Sequence, residues 1–133
     1  MAKKRILIID DEEDLAFFVK ANLELAGDYE ILIATSGKEG LNIASNQQVD
    51  LILLDIMMPK MDGFEVLKKI KESKRALAIP VIMLTAKGDM ESQIRAAGLY
   101  NEDYIVKPVQ IEVLEAKIKE VLEKRNSGKE EKR

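Results

Sequence analysis

Five short runs rich in Ile, Val and Leu recur along this chain, and they constrain its fold more than any other feature. They are "RILII" (5–9), "YEILIAT" (29–35), "LILLD" (51–55), "PVIMLT" (80–85) and "DYIVK" (103–107). Each is mostly continuous rather than alternating in polarity, the pattern of strands buried on both faces. Between them the apolar residues take a helical period. Leu15, Phe18, Val19, Asn22, Leu23 and Ala26 fall on one face, closed by Gly27 as a C′ residue. Ser36 with Glu39 and Asp62 with Glu65 have capping-box spacing, the second ahead of inward-facing Val66, Leu67 and Ile70. A weaker helix is predicted over 89–98. The last helix is the plainest, with Ile111, Leu114, Ile118, Val121 and Leu122 on one stripe.

Strand and helix alternating five times over imply a parallel sheet with helices on both faces. Right-handed crossovers leave few arrangements, and the commonest is a flavodoxin-like (βα)5 doubly wound α/β fold, a five-stranded parallel sheet of order 2-1-3-4-5. The domain is expected over residues 4–123. The charged C-terminal stretch 124–133, with "RNSGKEEKR", reads as a frayed tail or the start of a linker.

At 133 residues the chain suits one domain with one core. A formal net charge of -3 gives no overall basic field for nucleic acid or anionic lipid. No apolar run approaches the ~20 residues that span a bilayer. The apolar stretch Ile6 to Ile9 is too short for a signal-peptide core, so the chain reads as cytoplasmic. There is no Cys and no His. That removes disulfides, thiol nucleophiles, thiolate or imidazole metal sites and His-based triads. Any chemistry must run on carboxylates, hydroxyls, lysines and a hard cation.

In an open parallel sheet, ligands bind beyond the carboxyl ends of the strands. Strand 1 ends in Asp10 and Asp11, followed by Glu12; strand 3 ends in Asp55, strand 4 in Thr85 and strand 5 in Lys107. Three carboxylates, a hydroxyl and an ammonium then share one rim. Clustered carboxylates repel and need a cation or protons to coexist, and Mg²⁺ takes such oxygen ligands. Lys107 and Thr85 suit a phosphoryl oxygen, and a carboxylate is itself able to act as a nucleophile in phosphoryl transfer. Taken singly, each residue has a bland reading. Asp10 or Asp11 caps the following helix, Asp55 sits in a turn, Thr85 ends a strand, and Lys107–Pro108 is an X-Pro turn. Their convergence on one edge is what carries weight.

The motifs "IIDDEED" (8–14), "LILLDIMMPKMDG" (51–63), "VIMLTAKG" (81–88) and "DYIVKP" (103–108) resemble, in order and spacing, the receiver domain of two-component response regulators, the CheY-like superfamily. The resemblance covers about residues 4–123. It implies that Asp55 is the phosphoacceptor, phosphorylated by a sensor histidine kinase or phosphotransfer protein. It implies Mg²⁺ held by Asp10, Asp11, Asp55 and the backbone carbonyl of Met57, and Lys107 on the phosphoryl group. Thr85 and Tyr104 become the switch pair, Ala86 is the small residue beside the site, and Lys107–Pro108 is a cis-proline bond. Output passes through the 89–98 helix, strand 5 and the last helix to a downstream effector, in a monomer or a weak phosphorylation-dependent dimer. The expected product is a signalling switch rather than a metabolic enzyme, and no direct nucleic-acid or membrane binding is expected of it. Pro59 and Gly63 read as turn formers, and Met57, Met58 and Met61 as loop residues packing locally.

The chain departs from the pattern in places. Tyr100 and Asn101 stand where the family usually has Gly-Ala, with Gly98 two residues earlier, and Val109 stands where Phe is common. Val113 and Lys117 occupy positions where the dimerising transcription-factor subfamily has an acid and an arginine. Lys does not reproduce bidentate Arg pairing, so a stand-alone receiver, or one excised from another architecture, is the expectation. Rival readings fit less well. A haloacid-dehalogenase-type phosphatase needs a second Asp where Met57 stands. A flavodoxin-like cofactor module needs a Ser/Thr/Gly-rich loop where "DDEED" repels phosphate, and no Walker run is present. A receiver that is never phosphorylated stays open as the third alternative.

Overall fold

The computed structural model describes residues 3–86 and 103–131. The strands are β1 (Lys4–Ile9), β2 (Tyr29–Ala34), β3 (Leu51–Asp55), β4 (Val81–Thr85) and β5 (Asp103–Val106), and the helices α1 (Glu13–Leu25), α2 (Gly37–Asn46), α3 (Gly63–Glu72) and α4 (Ile111–Glu131). The strands form one sheet of order β2-β1-β3-β4-β5 with every neighbouring pair parallel. This is the flavodoxin-like α/β arrangement expected. The helix predicted over 89–98 lies outside the described residues.

Period-two alternation splits the apolar strand residues into two layers. Leu7, Ile9, Ile52, Leu54, Val81 and Met83 pack with Ala44 of α2 and Val66, Leu67 and Ile70 of α3. Ile6, Ile8, Leu51, Leu53, Ile82 and Ile105 pack on the other face with Ala16, Val19 and Leu23 of α1 and Leu114, Ile118 and Val121 of α4. Every residue of β3 and β4 is buried, which is why these strands read as unbroken runs. Each fully buried Leu or Ile contributes about 1.5–3 kcal/mol.

The helix ends follow local chemistry. Ser36 accepts from the Glu39 N–H at 3.1 Å, while Glu39 reaches back to the Thr35 N–H at 2.7 Å. Asp62 accepts from the Glu65 N–H at 2.9 Å. Gly27 follows the α1 C-cap with φ 84° and donates to Glu24 O, as a C′ glycine does. The start of α1 differs from expectation. Its N-cap is Glu12, whose side chain makes no capping bond, and Asp10 instead accepts the Glu12 N–H at 2.9 Å. Asp10 is thus drawn inward to the rim and kept off the helix end. Phe18 does not face the core; it is exposed, and Ala16 takes the inward place. The small residue lets α1 lie close to the sheet. Finally, α4 runs on to Glu131, through most of the stretch read as a tail.

Candidate functional site

The alternation that builds the core also aims the site. On β1 the series Ile6, Ile8 leads to Asp10; on β3 Leu51, Leu53 leads to Asp55; on β5 Ile105 leads to Lys107. All three continue the face covered by α1 and α4. Register pairs Ile9 with Leu54, so Asp10 emerges beside Asp55. Thr85 and Tyr104 follow the opposite phase. Thr85 continues Val81 and Met83, and Tyr104 pairs with Met83 and packs against the layer under α2 and α3.

The geometry is compact. Lys107 Nζ lies 3.1 Å from Asp55 Oδ1, 3.4 Å from Asp10 Oδ2 and 2.8 Å from Glu12 Oε1. Asp10, Asp55 and Thr85 are buried, whereas Asp11 is exposed. Oxygens of Asp10, Asp11 and Asp55 all lie within 4.8 Å of one another. Two of the buried oxygens, Asp10 Oδ2 and Asp55 Oδ2, have no hydrogen-bond partner. Orphaned buried carboxylate oxygens are costly, and a hard cation is the chemistry that satisfies them. The donor set therefore fits a divalent ion.

The electrostatics agree. Burial first, and then the Asp10 charge, push the Asp55 carboxyl from its ordinary 3.8 to about 7, against the pull of Lys107. Burial likewise raises Asp10, opposed by the Glu12 backbone hydrogen bond and Lys107. Burial alone lowers a lysine, but the Glu12 hydrogen bond and the Asp55 and Asp10 charges outweigh it and raise Lys107. One ammonium does not neutralise two buried acids.

The backbone holds this rim in place. The Lys107 N–H donates to Thr85 O at 2.6 Å and the Ile56 N–H to Leu84 O at 3.1 Å. The Lys107–Pro108 bond is cis. The Thr85 hydroxyl donates to Ala86 O at 3.1 Å. Gly63 does more than form a turn. It starts α3, donates to Ile56 O at 2.8 Å, and a Cβ there would stand 2.4 Å from Asp55 O. Only glycine lets α3 press on the backbone that carries Asp55. In the loop between them Met58 is buried and Met61 packs against the core, while Met57 is exposed.

Comparison with known proteins puts a family to this arrangement. The family model for the response regulator receiver domain matches residues 6–119. The chain belongs to the response regulator receiver domain family. Among curated relatives, the "DNA-binding dual master transcriptional regulator RpaA" of Synechocystis is 41% identical over 118 residues, covering 89% of this chain and 48% of that protein. The "Alkaline phosphatase synthesis transcriptional regulatory protein PhoP" of Bacillus subtilis is 39% identical over 119 residues, covering 90% and 48%. The chain thus spans about half the length of these relatives. Among solved structures, a CheY-like response regulator receiver domain protein from Methanospirillum hungatei matches with a TM-score of 0.86 and 35% identity, over 96% of this chain and 99% of that one.

The receiver's acidic pocket brings together Asp10, Asp11, Asp55 and Lys107, as the sequence reading placed them. Tyr100 and Asn101 lie outside the described residues. Two partners went unread in the sequence. Glu12 is the nearest carboxylate to Lys107, and the signal for it was the third acid of "DDEED". Asp103 pairs with Lys117 at 2.6 Å across β5 and α4, a contact no spacing rule reveals. No helix among the described residues is long and apolar enough to cross a membrane.

Proposed function

We propose that this receiver is phosphorylated on Asp55 by a phosphohistidine-bearing partner, a sensor histidine kinase or phosphotransfer protein. An Asp55 carboxylate oxygen attacks phosphorus, the P–N bond breaks, and its electron pair leaves on the imidazole. The observation that carries this reading is Asp55 itself. It is a buried carboxylate with one oxygen 3.1 Å from Lys107 and the other unpartnered, beside two further acids. Mg²⁺, held by Asp10, Asp11, Asp55 and the Met57 carbonyl, would supply charge neutralisation at the phosphoryl oxygens.

Lys107 contacts the phosphoryl group and Thr85 turns its hydroxyl from Ala86 O toward it. Ala86 is small enough to leave room for the phosphoryl group. Tyr104, on the same face as Thr85, follows inward. Phosphorylation adds about -1.5 to -2 charge and three acceptor oxygens, enough to bias a two-state rim. The change is read by an effector along β5 and α4, in a monomer or weak phosphorylation-dependent dimer. The unit that acts is residues 4–123, and it catalyses its own phosphotransfer and slow hydrolysis. An apolar hollow of about 480 Å³ beside the site, lined by Leu15, Phe18 and Val109 with Glu12 and Lys107 at its edge, gives a protein donor a place to lie and accounts for the exposed Phe18. The DNA-binding named for the Synechocystis relative belongs to a chain about twice as long. The overall charge of -3 supports output through protein contact here.

The test is intact mass after incubation with acetyl phosphate, with and without Mg²⁺. A metal-dependent gain of one phosphoryl group, absent in Asp55→Asn, supports the reading. A folded protein that binds Mg²⁺ and gains nothing is an unphosphorylated interaction domain instead.

A further inference from the structure

Lys107 has three ammonium protons and three carboxylate oxygens around them: Glu12 Oε1 at 2.8 Å, Asp55 Oδ1 at 3.1 Å and Asp10 Oδ2 at 3.4 Å. Glu12 Oε1 accepts the hydrogen bond of this ammonium, and the two aspartates hold it as ion pairs. A phosphoryl oxygen that draws Lys107 toward itself competes with these three acids for the ammonium. Asp10 and Asp55 are poor candidates for displacement, because they are buried and already have oxygens without partners. Neither has water to turn to when the ammonium leaves it. Glu12 differs. Its side chain is 61% exposed, so water replaces the ammonium at little cost. Nor does it serve the helix it begins, since its carboxylate makes no capping bond.

We propose that Glu12 is a positioning residue that holds the Lys107 ammonium at the rim in the unphosphorylated state and is the partner the phosphoryl group displaces. This rests on phosphorylation at Asp55. Glu12 then opposes phosphorylation twice: it occupies the shortest of the Lys107 contacts, and it adds a negative charge where an anionic donor approaches. Its side chain comes from the β1–α1 junction and Lys107 from the end of β5, so release of the pair removes one of the two ion pairs that join these segments, Asp10–Lys107 being the other.

The experiment follows phosphorylation by phosphoramidate in Mg²⁺ with intact mass, across donor concentrations and at two ionic strengths. In this reaction the P–N bond breaks, ammonia departs with the electron pair and takes a proton from water, and the phosphoryl group joins Asp55. Glu12→Gln is expected to speed labelling about two- to fivefold, with the gain shrinking at high salt. Glu12→Asp keeps the charge but is one methylene too short for the 2.8 Å contact, and is expected to lie nearer Gln than wild type. A readout independent of rate is the Glu12 side-chain carboxyl ¹³C resonance, expected to move on phosphorylation as the ammonium leaves. Equal or slower labelling of Glu12→Gln, wild-type behaviour of Glu12→Asp, or an unmoved resonance each overturns the proposal. Absence of labelling in the wild type is a different result, and brings down the phosphoacceptor reading itself.

Discussion

Lys107 Nζ sits 3.1 Å from Asp55 Oδ1 and 3.4 Å from Asp10 Oδ2, so one ammonium is shared by two buried carboxylates from neighbouring strands. That sharing leaves the buried group one positive charge short. In a low-dielectric setting such a deficit is met by protons or by a cation. The Asp55 carboxyl, pushed up to about 7 by burial and by Asp10, is the visible result.

Stability in the absence of metal is expected to fall as pH rises from about 4 to about 7. Asp55 titrates near its ordinary 3.8 when unfolded and at about 7 when folded. Between those values the folded state binds more protons, so each increment of pH favours unfolding, and the penalty is complete above the higher value. Asp10 is raised too and acts in the same direction. Asp55→Asn removes the buried charge and should stabilise the chelator-treated protein by about 1–3 kcal/mol at pH 8, with little effect at pH 4. Urea midpoints at the two pH values measure this. An equal effect at both would contradict the charge argument.

Lys107→Ala removes the only cation that any of the described ion pairs brings to these acids. Without it the metal-free protein should lose about 3 kcal/mol at neutral pH, because two buried carboxylates are left facing each other. Mg²⁺ should bind at least as tightly, since a competing positive charge is gone, and should restore much of the lost stability. Phosphorylation should be slow and fail to alter partner binding. Calorimetric Mg²⁺ titration beside denaturation in EDTA separates these effects; weaker metal binding in the variant would count against the site assignment.

The strands were legible because a buried parallel sheet demands unbroken apolar runs, and "LILLD" and "PVIMLT" are such runs. The rim was legible for the same reason, since strand ends fix which residues meet. What escaped was contact between segments distant in sequence. Helical period placed Phe18 on the inner stripe, but the close approach of α1 is made by Ala16. Spacing made Gly63 a turn residue, whereas its role is steric, against the Asp55 carbonyl. Glu12 with Lys107, and Asp103 with Lys117, are pairings of side chains that periodicity does not rank.

Two glycines differ in what a methyl group would strike. At Gly63 a Cβ would lie 2.4 Å from Asp55 O and 2.7 Å from Ile56 Cα, both backbone atoms of the site. At Gly37 the nearest atom, at 2.6 Å, is Val66 Cγ2, a side-chain methyl. Gly63→Ala should therefore cost about 2–3 kcal/mol and slow phosphorylation, because the Asp55 loop must shift. Gly37→Ala should cost less and leave the labelling rate near wild type. Thermal unfolding and acetyl phosphate labelling of both variants test this; similar labelling rates would mean that α3 does not brace the site.

The sheet's edge at β2 carries a further prediction. Glu24 of α1 accepts the Ile31 N–H at 3.1 Å, and Lys20 donates to Ile31 O at 3.0 Å, the two side chains also pairing with each other at 3.1 Å. One helical turn thus supplies the donor and acceptor that a sixth strand would bring, which blunts an edge otherwise open to pairing with another chain. The Ile31 hydrogen bond, followed by Lys20, holds the Glu24 carboxyl below its ordinary 4.5. Its contribution is therefore present above about pH 4.5 and lost as pH falls through the lower, folded value. Glu24→Ala with Lys20→Ala should destabilise by about 1 kcal/mol at pH 7 and by less at pH 3. Hydrogen exchange gives the local reading: the Ile31 amide should exchange about fivefold faster, as ~1 kcal/mol implies, while the Leu53 amide inside β3 stays protected. Unchanged exchange at Ile31 would show that solvent, rather than these side chains, already satisfies the edge.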